Sequence, residues 1–258
     1  MEKQMDILSS KNGGVLAIGF NRPEKKNAIT EAMYRALAEA LSDAEADPAV
    51  RVILLHGKPD VFTAGNDLDD FMKSPPTGDG SPVSQFLHAI SHAQKPVVAA
   101  VTGMAVGIGT TLLLHCDLVY AGDNAKFSLP FTSLGLVPEA ASTYLLPVIA
   151  GYQRAAELLL LGETFGPEKA KEAGFVTQVL PAAQTLATAQ EAAAKLAALP
   201  GKSVRVTKDL LKRVHRQHIA EQMRAESAHF RPMLNEPAAK EAFAAFMERR
   251  QPDFSKFV

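Results

Sequence analysis

Pro96-Val97-Val98-Ala99-Ala100-Val101-Thr102-Gly103-Met104-Ala105-Val106-Gly107-Ile108-Gly109-Thr110-Thr111-Leu112 is the stretch whose reading decides the fold. Its first six residues form an uninterrupted apolar run of strand length, the pattern of a strand covered on both faces. Glycines then punctuate a turn, and a helix over 107–115 follows, leaving free N–H groups at a helix N-terminus. Strand, turn and helix in that order make an α/β protein.

The same alternation extends in both directions. Val15 to Phe20 predicts a strand that ends at the turn signal Asn21-Arg22-Pro23. Thr30 caps a helix whose apolar side is Met33, Leu37, Leu41 and Ala44, and Asp47-Pro48 ends it. Val52-Ile53-Leu54-Leu55 is a second doubly covered strand, with Leu118–Ala121 and Val176–Leu180 as further strands. Helices are expected over 84–93, 107–115, 139–149, 153–161 and 167–173, and Met72 to Pro82 reads as a mobile loop rich in Pro, Gly, Ser and Asp. Ala182 to Leu199 is an Ala-rich helix, and everything beyond Gly201 is helical and more charged. The division expected is an α/β core over 1–200 followed by a helical region over 201–258.

With 258 residues, 47% hydrophobic and 21% charged, the chain has the composition of a soluble globular protein. A net charge of -1 gives no reason to expect nucleic acid or an anionic membrane as a partner. The basic helix carrying Lys202, Arg205, Lys208, Lys212, Arg213 and Arg216 reads as a subunit or solvent face. One cysteine, Cys116, set after Leu112-Leu113-Leu114-His115, fits a buried structural thiol and a reducing compartment. No apolar stretch approaches the roughly 20 residues of a membrane span. The acids of Met1–Asp6 do not suit a secretory signal, and Lys256-Phe257-Val258 is not a Ser-Lys-Leu address. The cytoplasm is the expected location.

Familiar cofactor motifs fail. Gly107-Ile108-Gly109 meets Leu112 where a dinucleotide fingerprint needs its third glycine, and no Gly-Lys-Ser/Thr phosphate loop exists. His88 and His92 lack the intervening glutamate and third ligand of a zinc helix, and Ser142 is not in a nucleophile elbow. No metal is expected. What remains is Glu139, the one formal charge between Phe127 and Gln153, in the run Gly135-Leu136-Val137-Pro138-Glu139-Ala140-Ala141. Two readings fit it. A carboxyl in apolar surroundings has its pKa raised toward the range of a working base. Alternatively, Pro138 opens a helix and Glu139 lies in its first turn, where the dipole favours an anion.

Val61-Phe62-Thr63-Ala64-Gly65-Asn66-Asp67-Leu68 follows the 52–55 strand, and its Ala64-Gly65 allows close approach of a ligand to backbone. Taken in order with Asn21-Arg22-Pro23, Asn27-Ala28, the 96–109 stretch, Cys116-Asp117-Leu118 and Gly162 through Val176, it resembles the crotonase superfamily, the enoyl-CoA hydratase/isomerase family. The resemblance runs over nearly the whole chain. It implies a crotonase-like ββα spiral core, a C-terminal helical trimerisation region, a coenzyme A thioester ligand and a homotrimer or dimer of trimers. It also implies that the backbone N–H groups of Asn66 and Ile108 hold the thioester oxygen as an oxyanion hole. The positions matching the two hydratase glutamates are Thr111 and Phe131, neither of them acidic. Glu139 falls where Δ3,Δ2-enoyl-CoA isomerases of the peroxisomal type keep their single glutamate, and these enzymes of fatty-acid β-oxidation use no metal or redox cofactor. The same carry-over assigns Arg22, Lys25, Lys26 and Ala28 to coenzyme A, and Ala64, Gly65, Asp67 and Leu68 to the thioester and adenine region. Gly107 lies beside Ile108 in the turn, and Phe246 and Arg249 match a pair that reaches a neighbouring subunit's ligand.

Overall fold

The computed structural model describes residues 5–73, 78 and 80–257. A six-stranded sheet forms the floor. Strands β1 (Ile7–Asn12), β2 (Val15–Phe20), β3 (Val52–His56), β5 (Val97–Val101), β7 (Leu118–Gly122) and β9 (Gln178–Leu180) lie in the order β1-β2-β3-β5-β7-β9. Only the β1–β2 hairpin is antiparallel. Three short strands, β4 (Val61–Thr63), β6 (Met104–Val106) and β8 (Lys126–Ser128), make a second, parallel sheet. Each successive turn of chain thus gives one strand to the large sheet, one to the small sheet, then helix. This is the ββα spiral the sequence resemblance implies.

The two apolar runs behave as doubly covered strands should, and their alternation shows why. Ile53, Leu55, Val97, Ala99 and Val101 face the main core with helices α1 (Glu31–Ala46) and α3 (Pro82–His92). Val52, Leu54, Val98 and Ala100 face α8 (Ala182–Ala198), whose Ala189, Ala193 and Ala197 recur every four residues and let the helix lie close. Thr30 caps α1 as expected, its hydroxyl accepting from the Met33 N–H at 3.3 Å.

Several expectations are corrected. β1 was not foreseen, because Ser9, Ser10, Lys11 and Asn12 are exposed and leave no apolar alternation. Neither were β4, β6 and β8, whose three residues are too short for a periodic signal, nor α2 (Leu68–Lys73). The 107–115 helix is a single α-turn, α4 (Ile108–Thr111), followed by a 3-10 segment, Leu112–His115. Five residues of the Met72–Pro82 loop, 74–77 and 79, lie outside the described residues; Met72 belongs to α2, and Pro82 opens α3. The 139–149 helix starts late, at Ser142, as α5 (Ser142–Ala150). Then come α6 (Tyr152–Ala156) with a π-helical continuation, Glu157–Leu161, and α7 (Pro167–Glu172).

The C-terminal region is α9 (Gly201–Lys212), α10 (Arg216–Met233) and α11 (Pro237–Glu248). Helix α9 is fastened to the core by its own cations. Lys208 Nζ is buried and meets Asp117 at 2.6 Å and the Lys95 carbonyl at 2.8 Å, while Lys212 Nζ donates to the His115 carbonyl at 2.6 Å. Among the described residues no helix is long and apolar enough to cross a membrane.

Candidate active site

The three short strands deliver the site. β4 and β6 run side by side, so the chain leaves both at the same edge, and β8 continues that edge into Leu129-Pro130-Phe131. Carboxyl ends of parallel strands are where open α/β sheets gather their ligands. Gly65 is required here: its φ is 87°, and a Cβ would stand 2.7 Å from the Val106 carbonyl oxygen. Its lack of a side chain therefore serves the approach of one strand exit to the other. Gly107, at φ 55°, has open space where a side chain would project.

Two amides are left over. Ile29 takes a bond from each flank of Asn66, its N–H donating to the Gly65 carbonyl at 2.8 Å and its carbonyl accepting from Asp67 N–H at 2.9 Å. The Asn66 N–H therefore points to the opposite side. Gly107 N–H donates to Ser128 O at 2.9 Å, and its carbonyl receives the N–H groups of Thr110 and Thr111. The N–H of Ile108, first residue of α4, has no acceptor in the turn before it. Among the described residues neither the Asn66 nor the Ile108 N–H has a protein partner.

Glu139 is not in a helix. It precedes α5 by three residues, and the two alanines between are left-handed, Ala140 at φ 63° and Ala141 at φ 55°. The helix-start reading of Glu139 is overturned, because those two residues break the turn that would have joined Pro138 to the helix. The turn aims the side chain inward. Glu139 is 8% exposed, and its Oε1 is buried with no hydrogen-bond partner. It faces a small cavity walled mainly by Phe71, Val83, Leu87, Met223 and Phe230, with Ser84, Ser227 and Arg231 also on its lining and Phe71 and Phe230 packed edge to face at 6.3 Å. Burial, and then the charge of Glu226, push its pKa up to about 8.

Glu139 is not the only acid there. Glu226, from α10, lines the same cavity, and burial raises its pKa to about 7. Its Oε2 accepts from the Ala141 N–H at 2.6 Å, and its Oε1 from the Thr143 N–H at 3.0 Å and hydroxyl at 2.5 Å. Tyr34 is a second unforeseen neighbour. Its hydroxyl donates to Asn66 Oδ1 at 2.5 Å, and burial and the charge of Glu139 raise its pKa well above the usual value. Neither residue left a sequence signal. Tyr34 sits beside a helix face already explained by apolar residues, and Glu226 lies in a run of charges typical of a solvated helix.

The remaining assigned residues divide. Thr111 is fully buried and its hydroxyl is unpartnered; Phe131 is buried. Arg22 is engaged within the protein, its guanidinium donating to Asp67 Oδ2 at 2.6 Å and the Ala28 carbonyl at 2.9 Å. Asp67 also accepts from Asp70 N–H at 3.1 Å, so it starts α2; despite burial, Arg22 and these amides hold its pKa low. Lys25 and Lys26 are exposed, Ala28 and Ala64 half-buried, and Leu68 packs on the core. Phe246 (62% exposed) and Arg249, the left-handed residue ending α11, lie outside the lining of the Glu139 cavity. His88 and His92 stack on each other at 4.1 Å, and among the described residues no group of three metal-ligating side chains occurs.

A family model described as enoyl-CoA hydratase/isomerase matches residues 10–256, and the chain belongs to that family, whose members act on acyl-CoA thioesters. It is similar to the 1,2-epoxyphenylacetyl-CoA isomerase of Escherichia coli (strain K12), 36% identical over 256 residues that cover 96% of this chain and 98% of the relative. It is also similar to enoyl-CoA delta isomerase 2 of Rattus norvegicus, 36% identical over 84% of this chain and 57% of that relative. Among solved structures, an enoyl-CoA hydratase/isomerase from Pseudoalteromonas atlantica T6c superposes with a TM-score of 0.92 at 42% identity, covering 97% of this chain and 100% of the other. The spiral described above is the fold of these crotonase-type enzymes.

Proposed function

We propose that the protein is a Δ3,Δ2-enoyl-CoA isomerase acting in fatty-acid β-oxidation. Glu139 takes a proton from C2 of a 3-enoyl thioester, and the C–H pair becomes the C1–C2 double bond as the carbonyl pair moves onto the thioester oxygen. From this dienolate the C3–C4 π pair takes the proton back from the same carboxyl at C4, leaving a C2–C3 double bond and a restored carbonyl. The product is the conjugated trans-2-enoyl thioester. The unpartnered Asn66 and Ile108 N–H groups hold the thioester oxygen as it gains charge; such donors are each worth about 3–4 kcal/mol of barrier. Proton transfer alone needs no metal or redox cofactor. The largely apolar walls keep water from the dienolate, and the buried Phe131 and Thr111 bring no second acid. Exposed Lys25 and Lys26 meet the coenzyme A phosphates. The 64–68 loop, pinned by the Arg22–Asp67 pair, follows the thioester, and Phe246 and Arg249 serve a neighbouring subunit in a homotrimer or dimer of trimers. The lone half-buried thiol of Cys116, its pKa pushed up to about 12 by burial, suits a cytoplasmic enzyme.

One observation carries this reading: a buried carboxyl group with an unpartnered oxygen on a largely apolar cavity, in a chain whose positions matching the hydratase acids are Thr111 and Phe131. The second reading is hydration of a 2-enoyl-CoA, favoured by the second carboxylate, Glu226, in that cavity. Both oxygens of Glu226 are engaged by the backbone and Thr143, which supports the isomerase. Conjugation of a 3-enoyl-CoA, followed by ultraviolet absorbance, separates the two. Turnover is expected, with Glu139→Gln losing at least ~100-fold. Hydration of a 2-enoyl-CoA at a comparable rate would transfer the assignment to the second reading, and no turnover of either would leave an acyl-CoA-binding protein without catalysis.

A further inference from the structure

The turn that carries Glu139 has one bond of its own, the Ser142 N–H donating to the Glu139 carbonyl at 3.1 Å, and little else to stay folded. Two consecutive non-glycine residues in the left-handed region each oppose the Cβ preference, at roughly 1–2 kcal/mol apiece. Helix α5 begins at Ser142 with Ala141 as its cap residue, and alanine has no side-chain oxygen to satisfy the exposed N–H groups. The Ser142 hydroxyl is buried without a partner and does not cap either. Bonds from outside therefore hold the turn. On one side the neutral His115 ring, its pKa lowered to about 4 chiefly by burial, donates from Nε2 to the Ala140 carbonyl at 2.8 Å. On the other, Glu226 receives Ala141 N–H and both donors of Thr143.

We infer that Glu226 is a positioning residue for the base: its carboxylate, supplied by α10, caps α5 from outside and locks the Ala140–Ala141 turn that points Glu139 at the substrate. The carboxylate is well matched to this work. It accepts at both oxygens, and it stands at the positive end of α5, where a negative charge is favoured. Neutral glutamine would match only half. With its oxygen on Thr143, its amide nitrogen would face the Ala141 N–H, donor against donor. The C-terminal helical region thus reaches the turn through Glu226, 85 residues along the chain from the amide it holds, with Gln222 beside it donating to the Thr143 hydroxyl at 2.7 Å. The inference rests on Glu139 being the base. It adds that the base works only while α10 is seated.

The test pairs kinetics with a readout that needs no turnover. Glu226→Gln and Glu226→Ala are compared with wild type, with Glu221→Gln as the control, a neutralised exposed carboxylate on the same helix. On a 3-enoyl-CoA the two Glu226 variants are expected to lose roughly 10- to 100-fold in kcat, the scale of a misplaced catalytic group. KM should stay within about 2-fold, because Glu226 touches neither oxyanion amide; a general loss of structure would move both parameters. Hydrogen exchange followed by mass spectrometry should show faster exchange in the peptide over 139–145 and unchanged exchange over β5, whereas Glu221→Gln changes neither. Unchanged kcat in a folded Glu226 variant overturns the inference, and so does unchanged exchange over 139–145. If wild type fails to conjugate the substrate, the reading of Glu139 as base falls instead, while the exchange arm still decides whether Glu226 holds the turn.

Discussion

Glu139 sits where ionisation costs stability. Its ordinary pKa of 4.5 rises to about 8 in the fold, with burial the main cause. A carboxyl raised in this way contributes its full stability only while protonated. The contribution is whole below about pH 4.5, declines as the pH climbs toward 8 and levels off above it. Glutamine at this position keeps the shape and does not ionise. Glu139→Gln should therefore match wild type in melting temperature near pH 4.5 and exceed it progressively at higher pH, by on the order of 5 °C at pH 8.5. A gap that stays constant across the range would mean that Glu139 titrates normally and is not desolvated. Glu139 as a candidate base was legible in the sequence, because one charge in a long apolar stretch stands out against any background. Its conformation was not: Pro138 followed by an acid is also how a helix begins, and only tertiary bonds to Ala140 and Ala141 chose the left-handed turn.

Helix α9 inverts the usual amphipathic arrangement. Its inward face carries Lys208 and Lys212, and both reach Asp117, at 2.6 and 3.7 Å. Asp117 Oδ2 also accepts the Val97 N–H at 2.7 Å, so one carboxylate ties the start of β5 to α9. This gives Asp117 of Cys116-Asp117-Leu118 a structural reason. In the sequence the same lysines read as part of a charged face, since a cation that packs inward has the same periodicity as one that faces water. The strands followed the opposite course. β3 and β5 were readable because a run covered on both faces has no polar member to obscure it. β4, β6 and β8 are too short to show a period, although they carry the site. Removing Lys208 strands Asp117 with a weaker partner, and breaking a buried pair typically costs 3–5 kcal/mol. Because Lys212 remains and Asp117 is partly exposed, Lys208→Met should cost about 2–3 kcal/mol, read from the urea midpoint. A midpoint unchanged from wild type would show that α9 is held by other contacts.

With Lys208 and Lys212 turned to the core, α9 presents apolar side chains outward beside the exposed Lys202 and Arg205. Val206 and Leu210 of α9 and Val214 just beyond its end follow one another at four-residue intervals and are about half or more exposed, and Leu211 beside them is 71% exposed. Tyr152, Leu160 and Leu161, around α6, are similarly bare. Scattered apolar residues on a surface need no explanation, but a repeating stripe along a helix whose polar face is already used does. Burying such a stripe away from water is worth roughly 25 cal/mol per Å², and the homotrimer or dimer of trimers proposed above would cover it with a second copy of this chain. This is the part of the molecule the sequence could name only by resemblance: neither the seating of α10 over Glu139 nor the outward face of α9 has a local pattern, since both depend on which side of each helix the core claims. Light scattering on the purified protein should give three or six times the chain mass, and the double change Leu210→Lys with Leu211→Lys should shift the population toward single chains. A wild type that runs as a single chain at micromolar concentration would remove the assembly, and with it the role given to Phe246 and Arg249 at a neighbouring site. The Glu139 cavity already has Phe71, Val83, Leu87 and, from α10, Met223, Glu226 and Phe230 as walls, whereas Phe246 and Arg249 lie outside its lining. Activity at dilutions where only single chains remain therefore separates the two contributions: chemistry should persist, and only the apparent KM for the coenzyme A thioester should rise.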